Sequence, residues 1–278
     1  TDTSSVHYFH TAGARKWEVC IISDFHVYSP LYGRTQAAMD MISTVENYKP
    51  FDWILHLGDI TAWGGSYTFW KDLYKEAPFH KYMWAGVNGN HDNMTRGYHR
   101  TTNEFFRDAA AYPRNGYPGE EGVCYHFRYG DVLFIMLNNE NMRDSLGLAA
   151  AQQWVREVVA NNPAPYKVVC EHYQWFFGKD GKDSQYGRWC KLFDELGINL
   201  ALAGNNHIYV STPAIYDGQV TDGSKGTVYL QSTSSDNERG VAYDPEAPIE
   251  NGDKIRFRWS EGPQSVSAMH MSVTPEKM

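Results

Sequence analysis

The sequence has little of what disulfide-rich, membrane-spanning or nucleic-acid-binding proteins require. Only 4 cysteines occur in 278 residues, and their scattered positions exclude a disulfide scaffold or a zinc ribbon. No apolar run approaches the roughly 20 residues of a membrane-spanning helix, and no basic start followed by an apolar segment indicates a signal peptide. The net charge of −8 argues against binding to duplex nucleic acid, because phosphate contacts require a basic face. We therefore expect a soluble protein that binds neither a membrane nor a nucleic acid duplex.

Several well-known catalytic motifs are also missing. The segment 178–182 contains glycine and lysine, but it lacks the spacing and the closing Lys-Ser/Thr of a phosphate-binding P-loop. The sequence has no Gly-x-Ser-x-Gly nucleophile elbow and no His-Glu-x-x-His zinc helix. Any catalytic chemistry must therefore come from another set of residues.

What the sequence does contain is a regular alternation of strand and helix patterns. Trp17–Ser23 is apolar and predicts a buried strand, and Arg34–Tyr48 repeats apolar residues at helical spacing until Pro50. The same alternation continues to Ala203, with a predicted hairpin over 123–137. The length and the 42% hydrophobic content allow one large domain with a full core. This order predicts an α/β fold with an adjoining antiparallel part.

Polar side chains with metal-binding atoms follow five of the predicted strands. In chain order these residues are Asp24, His26, Asp59, Asn90, His91, Asp92, His172, Asn205, Asn206 and His207. Because ligands of an open α/β sheet gather at the carboxyl ends of its strands, we expect these side chains to lie close together. Gly58, Gly89 and Gly204 stand within the same motifs and would let the backbone approach the site closely.

The donor types restrict the kind of site. Carboxylates, imidazoles and amides without a thiolate suit Mn, Fe, Zn, Co or Ni. Six strong donors are available, which exceeds the four of one tetrahedral ion and fits two ions that share a bridging carboxylate. Each motif alone has an ordinary alternative: Gly58-Asp59 is more often a turn, and Asn205 is equally suited to capping one. Only their joint placement at strand ends favours a metal site.

In this order, the motifs resemble those of the calcineurin-like metallophosphoesterases, a superfamily that includes the purple acid phosphatases. The resemblance runs from about Trp17 to Asp236, and the segments 123–127 and 133–138 are similar to middle strands of the purple-acid-phosphatase branch. It implies an α/β fold of two mixed β-sheets packed as a sandwich and flanked by helices. A small fibronectin-type domain often precedes the catalytic domain in that branch. We therefore expect residues 1–14 to be a tail or remnant of such a domain, and residues 15–278 to be the catalytic domain.

The resemblance also implies a role for each residue at the strand ends. The metal ligands form two sets that share a bridge: Asp24, His26 and His207 for the first ion, Asp59 as the bridge, and Asn90 with His172 for the second ion. His91 would protonate or stabilise the leaving-group oxygen, and Asp92 would orient His91. Asn206 would only set the spacing of its motif.

The sequence departs from the family pattern in two ways. Purple enzymes carry a tyrosine three residues after the bridging aspartate, where this chain has Ala62, and they lack a histidine at the position of His26. Neither a purple colour nor a ferric–tyrosinate pair is therefore expected. The family motif Gly-His-x-His places a second-metal histidine where this chain has Asn205. An amide oxygen is a weaker donor than imidazole for late transition metals, so Asn205 would shift the second site toward harder ions such as Mn or Mg.

The expected activity is hydrolysis of small-molecule phosphoric esters, with phosphomonoesters as the first expectation. Two metal ions, Mn, Zn or Fe, would make hydroxide available near neutral pH for in-line attack on phosphorus. Hydrolysis of phosphodiesters or nucleotide pyrophosphates at the same site is one alternative. A binding module without turnover, with the second metal lost at Asn205, is another. The acid-phosphatase branch also implies export to a secreted or periplasmic location.

Aromatic residues flank two of the motifs. Trp63 follows the Gly58-Asp59 motif, and the run Tyr-Gln-Trp-Phe-Phe at 173–177 follows His172. Rings at the mouth of a site stack on a nucleoside or sugar leaving group, and rings in a loop equally often pack onto the domain. His56 lies inside an apolar strand and is interpreted as a structural residue.

Overall fold

The computed structural model describes residues 9, 11, 16–176, 184–235, 250–260 and 266–278. Within these ranges the chain forms two large mixed β-sheets, a two-stranded hairpin and six α-helices. No helix in these ranges is both long and apolar enough to cross a membrane. The predicted tail 1–14, except for residues 9 and 11, lies outside the described residues, as do Phe177, the segment 178–182 and Asp236.

The elements follow the predicted alternation up to the seventh strand. The strands are β1 (Trp17–Ile22), β2 (Trp53–His56), β3 (Met83–Gly86), β4 (Tyr125–Tyr129), β5 (Val132–Met136), β6 (Tyr166–Cys170), β7 (Leu200–Ala203), β8 (Ile208–Ser211), β9 (Ile215–Tyr216), β10 (Gln219–Val220), β11 (Val228–Gln231), β12 (Phe257–Ser260) and β13 (Met269–Val273). The helices are α1 (Tyr32–Tyr48), α2 (Tyr67–Leu73), α3 (Pro78–Lys81), α4 (Glu104–Ala109), α5 (Ser145–Asn161) and α6 (Tyr186–Leu196).

The two large sheets are both mixed, which confirms the predicted fold class. The smaller sheet has the strand order β13-β1-β2-β3, in which β1, β2 and β3 are parallel and β13 is antiparallel to β1. The larger sheet has the order β12-β8-β11-β7-β6-β5-β4. Its central strands β11, β7, β6 and β5 are parallel, whereas β4, β8 and β12 run antiparallel to the strands beside them.

Every residue of strand β5 is apolar because both faces of this strand are buried. Its alternate residues Phe134 and Met136 belong to the core between the two sheets, where Phe134 packs edge-on against Trp53 at 5.2 Å. Leu133 and Ile135 belong to the second core, on the opposite face of the larger sheet under α5 and α6. Successive side chains of a strand point to opposite faces, so a strand covered on both sides has no polar positions.

Local capping sets several helix ends. Helix α5 begins at Ser145, because Oδ1 of Asp144 accepts a hydrogen bond from the N–H of Gly147 at 2.8 Å. Helix α6 ends at Leu196 and is capped by Gly197, whose φ of 62° is the left-handed conformation that favours glycine. Strand β8 was not predicted, since its four residues directly follow a polar motif and show no long alternation.

Candidate metal centre

The five polar motifs converge at the carboxyl ends of parallel strands. Asp24 and His26 follow β1, Asp59 follows β2, and Asn90 and His91 follow β3, all in the smaller sheet. The larger sheet contributes His172 after β6, and Asn205 with His207 after β7. Backbone hydrogen bonds join the neighbouring loops, from Asp24 N to Gly58 O at 3.0 Å and from Gly204 N to His172 O at 2.9 Å. The site therefore lies where the two sheets meet.

Three groups of side chains each bring their potential ligand atoms within 4.8 Å of one another. They are Asp24, His26 and His207; Asp24, Asp59 and His172; and His26, Asp59 and His91. The first group is the ligand set expected for the first ion, and the second contains the expected bridge together with the expected histidine of the second ion. All these residues are buried or nearly so. His91 is close enough to belong to a group, although the resemblance assigns it to the leaving group.

The chemistry of the donors fits metal binding. Oδ1 of Asp24 and Nε2 of His172 are buried, and neither makes a hydrogen bond with a described residue. Each nevertheless lies 3.2 Å from an atom of the same site, Nε2 of His207 and Oδ1 of Asp59 respectively. Buried polar atoms are normally hydrogen-bonded, and converging ones without such a bond are suited to bind a shared cation.

The ring of His172 is oriented for metal binding. Its Nδ1 lies 2.7 Å from the carbonyl oxygen of Leu57, so Nδ1 carries the hydrogen and donates to that oxygen. In the neutral form of the ring the lone pair is then on Nε2, which faces Asp59. A hydrogen bond of this kind on the far nitrogen fixes both the tautomer and the ring orientation of a metal-binding histidine.

Charge and burial act against each other at the two carboxylates. Burial disfavours their charged forms, but His207 and His172 hold the pKa of Asp24 below its usual range, and His172 and His91 do the same for Asp59. Burial lowers the pKa of His172, yet Asp59 and Asp24 outweigh it and raise that pKa to about 9. The site thus holds two carboxylates ionised in the interior, where they require cationic partners.

Glycines permit the close approach of the motifs, as the sequence predicts. A Cβ at Gly58 would lie 2.3 Å from Nδ1 of His172, and one at Gly89 would lie 2.2 Å from the backbone nitrogen of Asp59. At Gly204 a Cβ would lie 2.1 Å from Oγ of Ser23. Among these three glycines only Gly58 has a positive φ, of 96°, so the other two are required for space rather than for backbone freedom.

Strained backbone conformations are concentrated at the candidate metal ligands. Eight described residues other than glycine have positive φ, and five of them are Asp24, His26, Asp59, Asn205 and His207, with φ between 49° and 74°. Each such conformation costs on the order of 1–3 kcal/mol and persists only where the surrounding structure enforces it. Such clustering is typical of ligand sites, because it aims several side chains at one point.

His91 is held by the loop that follows β2. Its Nδ1 lies 2.8 Å from the carbonyl oxygen of Ala62, and its backbone N–H donates to Oδ1 of Asp59 at 2.8 Å. The carboxylate of Asp92 accepts hydrogen bonds from the backbone of Thr61 at 3.0 Å and of Gly89 at 2.9 Å. The Ala62 carbonyl therefore supports the His91 ring, and Asp92 ties the loops after β2 and β3 together. That Asp92 orients His91 stays a prediction.

The two asparagines of the expected second site occupy different surroundings. Asn90 is buried in the turn between Gly89, which packs against Asp59, and His91. Asn205 donates its backbone N–H to Oδ2 of Asp24 at 3.0 Å and its side-chain amide to Oε1 of Gln174 at 2.5 Å. Asn205 thus contacts both the first ligand set and the loop of His172.

The side chain of Asn206 makes hydrogen bonds to residues that are not candidate ligands. Its Oδ1 accepts a hydrogen bond from Nε2 of Gln231 on β11 at 2.6 Å, and its amide donates to the carbonyl oxygen of Phe176 at 3.4 Å. These contacts join the motif to β11 and to the loop after β6, and the role of Asn206 in spacing stays a prediction.

Sequence reasoning did not identify two supporting residues. Asn139 accepts hydrogen bonds from the backbone of His172 at 2.9 Å and of Tyr173 at 2.8 Å, and its amide donates to Glu171 at 2.9 Å. Gln174 is fully buried and binds Asn205. The pair Asn138-Asn139 could have indicated Asn139, because it follows a predicted strand in the same way as the polar residues of the other site motifs.

The flanking aromatic residues divide into two kinds. Trp175 and Phe176 are buried in the second core, and Tyr173 is buried against Glu140, so these rings pack onto the domain. The ring of Trp63 instead lies 5.3 Å from that of His91. His56 is buried and its ring stacks on that of Phe25 at 6.1 Å.

Comparisons with known proteins identify the fold and the family. Among solved structures, the chain is similar to a purple acid phosphatase from yellow lupin (Lupinus luteus) seeds, with a TM-score of 0.65, 14% identity and coverage of 95% of this chain and 50% of that one. It is similar to GAP50, described as the anchor in the inner membrane complex of Plasmodium, with a TM-score of 0.62, 12% identity and coverage of 94% and 82%. PhoD matches with a TM-score of 0.60, 15% identity and coverage of 94% and 64%.

The chain thus spans about half of the lupin protein and less than two thirds of PhoD. At these identities the structural likenesses show the fold alone. A search of curated proteins found no matching relative. The profile of the calcineurin-like phosphoesterase family matches residues 18–209, which is more than half of the chain. The chain therefore belongs to the calcineurin-like phosphoesterase family.

Proposed function

We propose that the protein is a binuclear metal-dependent hydrolase of phosphomonoesters, with residues 15–278 as its catalytic domain. The observation that carries the proposal is the convergence of two ligand groups that share Asp24, one with His26 and His207 and the other with Asp59 and His172. Two overlapping groups of this kind fit two adjacent ions better than one. Asn90 and Asn205 complete the ligand set of the second ion, which we expect to favour Mn over Zn.

Different residues of this chain have different roles in the proposed ester hydrolysis. Two bound divalent ions would neutralise the phosphate oxygens and make hydroxide available near neutral pH. Asp24 and Asp59 would supply the negative charge that holds the ions, and the hydrogen bond from His172 to the carbonyl of Leu57 would leave Nε2 of His172 available as a ligand. His91, whose Nδ1 is occupied by the carbonyl of Ala62, presents Nε2 to the leaving oxygen and supplies the proton.

The choice of monoesters rests on the resemblance of the motifs to the acid-phosphatase branch. Nitrophenyl phosphate and bis-nitrophenyl phosphate, assayed with protein saturated with Mn²⁺ or Zn²⁺, distinguish the two ester classes. We expect the larger rate on the monoester. A much larger rate on the diester would reject the monoester assignment and favour a phosphodiesterase.

A binding module without turnover is the second candidate. It is favoured by Asn205 at the position of the family histidine, and the same fold occurs in a protein described as an anchor in Plasmodium. Elemental analysis after saturation with Mn²⁺ separates the candidates. Two ions per chain, with hydrolysis lost in Asn90→Ala, would exclude the binding module. One ion per chain and no hydrolysis of either ester would support it.

A further inference from the structure

Two aromatic rings stand beside the residue that faces the leaving group. The ring of Trp63 lies 5.3 Å from that of His91, and the ring of Tyr98 meets Trp63 edge-on at 4.8 Å with an interplanar angle of 88°. Tyr98 is 68% exposed, although large aromatic side chains are usually covered. The two rings form a right-angled corner, which we call the aromatic corner, open to solvent on the side of Tyr98.

The backbone on either side of Trp63 is fixed to His91. Before it, the carbonyl of Ala62 lies 2.8 Å from Nδ1 of His91. After it, the N–H of Gly64 donates to the carbonyl of His91 at 2.9 Å. A Cβ at Gly64 would lie only 2.1 Å from the carbonyl oxygen of Asp92, so only glycine fits there. Trp63 is therefore held at a set distance from His91, and hence from any ester oxygen that His91 protonates.

The position of Tyr98 is also enforced rather than incidental. Its backbone has a φ of 60°, a strained conformation for a tyrosine. The turn that carries it is closed by hydrogen bonds from Tyr98 N to Thr95 O and from Thr95 N to His99 O, both at 2.9 Å. A strained turn that places an exposed ring next to a site is a feature that a merely solvated loop does not require.

We propose that the aromatic corner binds a flat aromatic group carried by the leaving alcohol of the substrate, an inference that rests on the proposed hydrolase function. A substrate ring bound here stacks on one face of the Trp63 ring and meets the Tyr98 ring edge-on. Stacked and edge-on contacts are the two arrangements that aromatic pairs prefer. Because Trp63 is adjacent to His91, the corner suits a ring attached within a bond or two of the ester oxygen. A nucleobase stands one sugar farther away and gains less.

Matched substrate pairs test this proposal. Benzyl phosphate and cyclohexylmethyl phosphate have the same connectivity and similar leaving alcohols, and differ in whether the ring is flat and aromatic. Adenosine 5′-monophosphate and ribose 5-phosphate form the second pair, which reports on a more distant base. For the Mn²⁺-loaded protein we expect kcat/KM to favour benzyl phosphate by about five- to tenfold, and the nucleotide pair to differ less.

Two variants assign the preference to the corner. Trp63→Leu should lower kcat/KM for benzyl phosphate more than kcat/KM for cyclohexylmethyl phosphate, so that the ratio of the two falls to about one, and Tyr98→Leu should reduce this ratio in part. Tyr48→Leu is the matched control, because Tyr48 is 87% exposed at the end of α1. Equal losses on both members of the benzyl pair in Trp63→Leu, or a wild-type protein with no aromatic preference in either pair, would overturn the proposal.

Binding of phosphonates keeps the test independent of turnover. Benzylphosphonate and cyclohexylmethylphosphonate are not hydrolysed, and calorimetry on the metal-loaded protein measures their affinities directly. Tighter binding of the benzyl compound that is lost in Trp63→Leu supports the aromatic corner even if no ester is hydrolysed. Absence of hydrolysis would then contradict only the proposed function, whereas equal phosphonate affinities contradict only the aromatic corner.

Discussion

The side-chain amide of Asn205 donates a hydrogen bond to Oε1 of Gln174 at 2.5 Å. Because the amide nitrogen is engaged in this way, the oxygen is the atom that Asn205 can offer to a cation. Gln174 is fully buried two residues beyond His172, and the backbone of Asn205 is bound to Asp24. The pair therefore joins the loops of the two ligand groups, at the position where the family motif Gly-His-x-His has a histidine and this chain has Asn205.

Asn205→His should raise the affinity of the weaker Zn²⁺ site by about tenfold or more, because imidazole is a better donor than an amide oxygen for this ion. Calorimetric titration of the metal-depleted protein with Zn²⁺ and with Mn²⁺ measures the effect, and the gain should be larger for Zn²⁺. Asn141→His, at an exposed position outside the site, is the control. Unchanged affinities for both ions would place Asn205 outside the ligand set.

Asn139→Ala should weaken the site without touching a ligand. Asn139 accepts from the backbone N–H groups of His172 and Tyr173, and its loss leaves two buried donors without that acceptor. We expect the free energy of unfolding to fall by about 1–3 kcal/mol and the affinity for the second ion to fall by about 10- to 100-fold. Urea denaturation and metal titration measure the two effects. Asn141→Ala, two residues away and exposed, should change neither, and a similar loss there would refute the role of Asn139.

His91→Ala should slow esters with poor leaving groups most. General acid catalysis contributes about 10²- to 10⁴-fold, and an ester whose leaving oxygen is already stable needs it least. The ratio of kcat for an alkyl phosphate to kcat for nitrophenyl phosphate should therefore fall in the variant. Metal content is the accompanying measurement, since His91 also lies within one ligand group. A lost ion with an unchanged ratio would make His91 a ligand instead of the proton donor.

We predict that His56 accounts for part of the pH dependence of the free energy of unfolding. Burial lowers the pKa of His56 to about 3, whereas an unfolded histidine has a pKa near 6.5. As the pH falls below about 6.5, the unfolded chain binds a proton that the folded chain does not, so the free energy of unfolding decreases by up to about 1.4 kcal/mol per pH unit until about pH 3. His56→Leu should remove this slope, measured by urea denaturation between pH 7 and 5 at fixed Mn²⁺. His99→Leu, at an exposed position, is the control; an unchanged slope in His56→Leu would contradict the prediction.

The sequence predicted the framework of the site because each motif directly follows a short apolar strand. The convergence of Asp24, His26, Asp59, His172 and His207 follows from that order, whereas the pair of mixed sheets was implied by the resemblance of the motifs to the family. Their ligation of metal stays a prediction.

The supporting contacts could not be predicted in the same way. Asn139 binds His172, which lies 33 positions away along the chain. Ala62 supports His91 through its backbone carbonyl, and every residue type has such a group, so the side-chain pattern does not indicate this contact. Strand β8 was missed because four residues carry too little periodicity to be recognised.

The central claim is that two ions act together in ester hydrolysis. The most direct test titrates the metal-depleted protein with Mn²⁺ and follows, at each step, the bound metal by elemental analysis and the release of phosphate from nitrophenyl phosphate. We predict saturation at two ions per chain, with hydrolysis appearing mainly as the second ion binds, and loss of both the second ion and hydrolysis in Asp59→Ala. Saturation at one ion per chain, or full hydrolysis with one ion bound, would contradict the binuclear account.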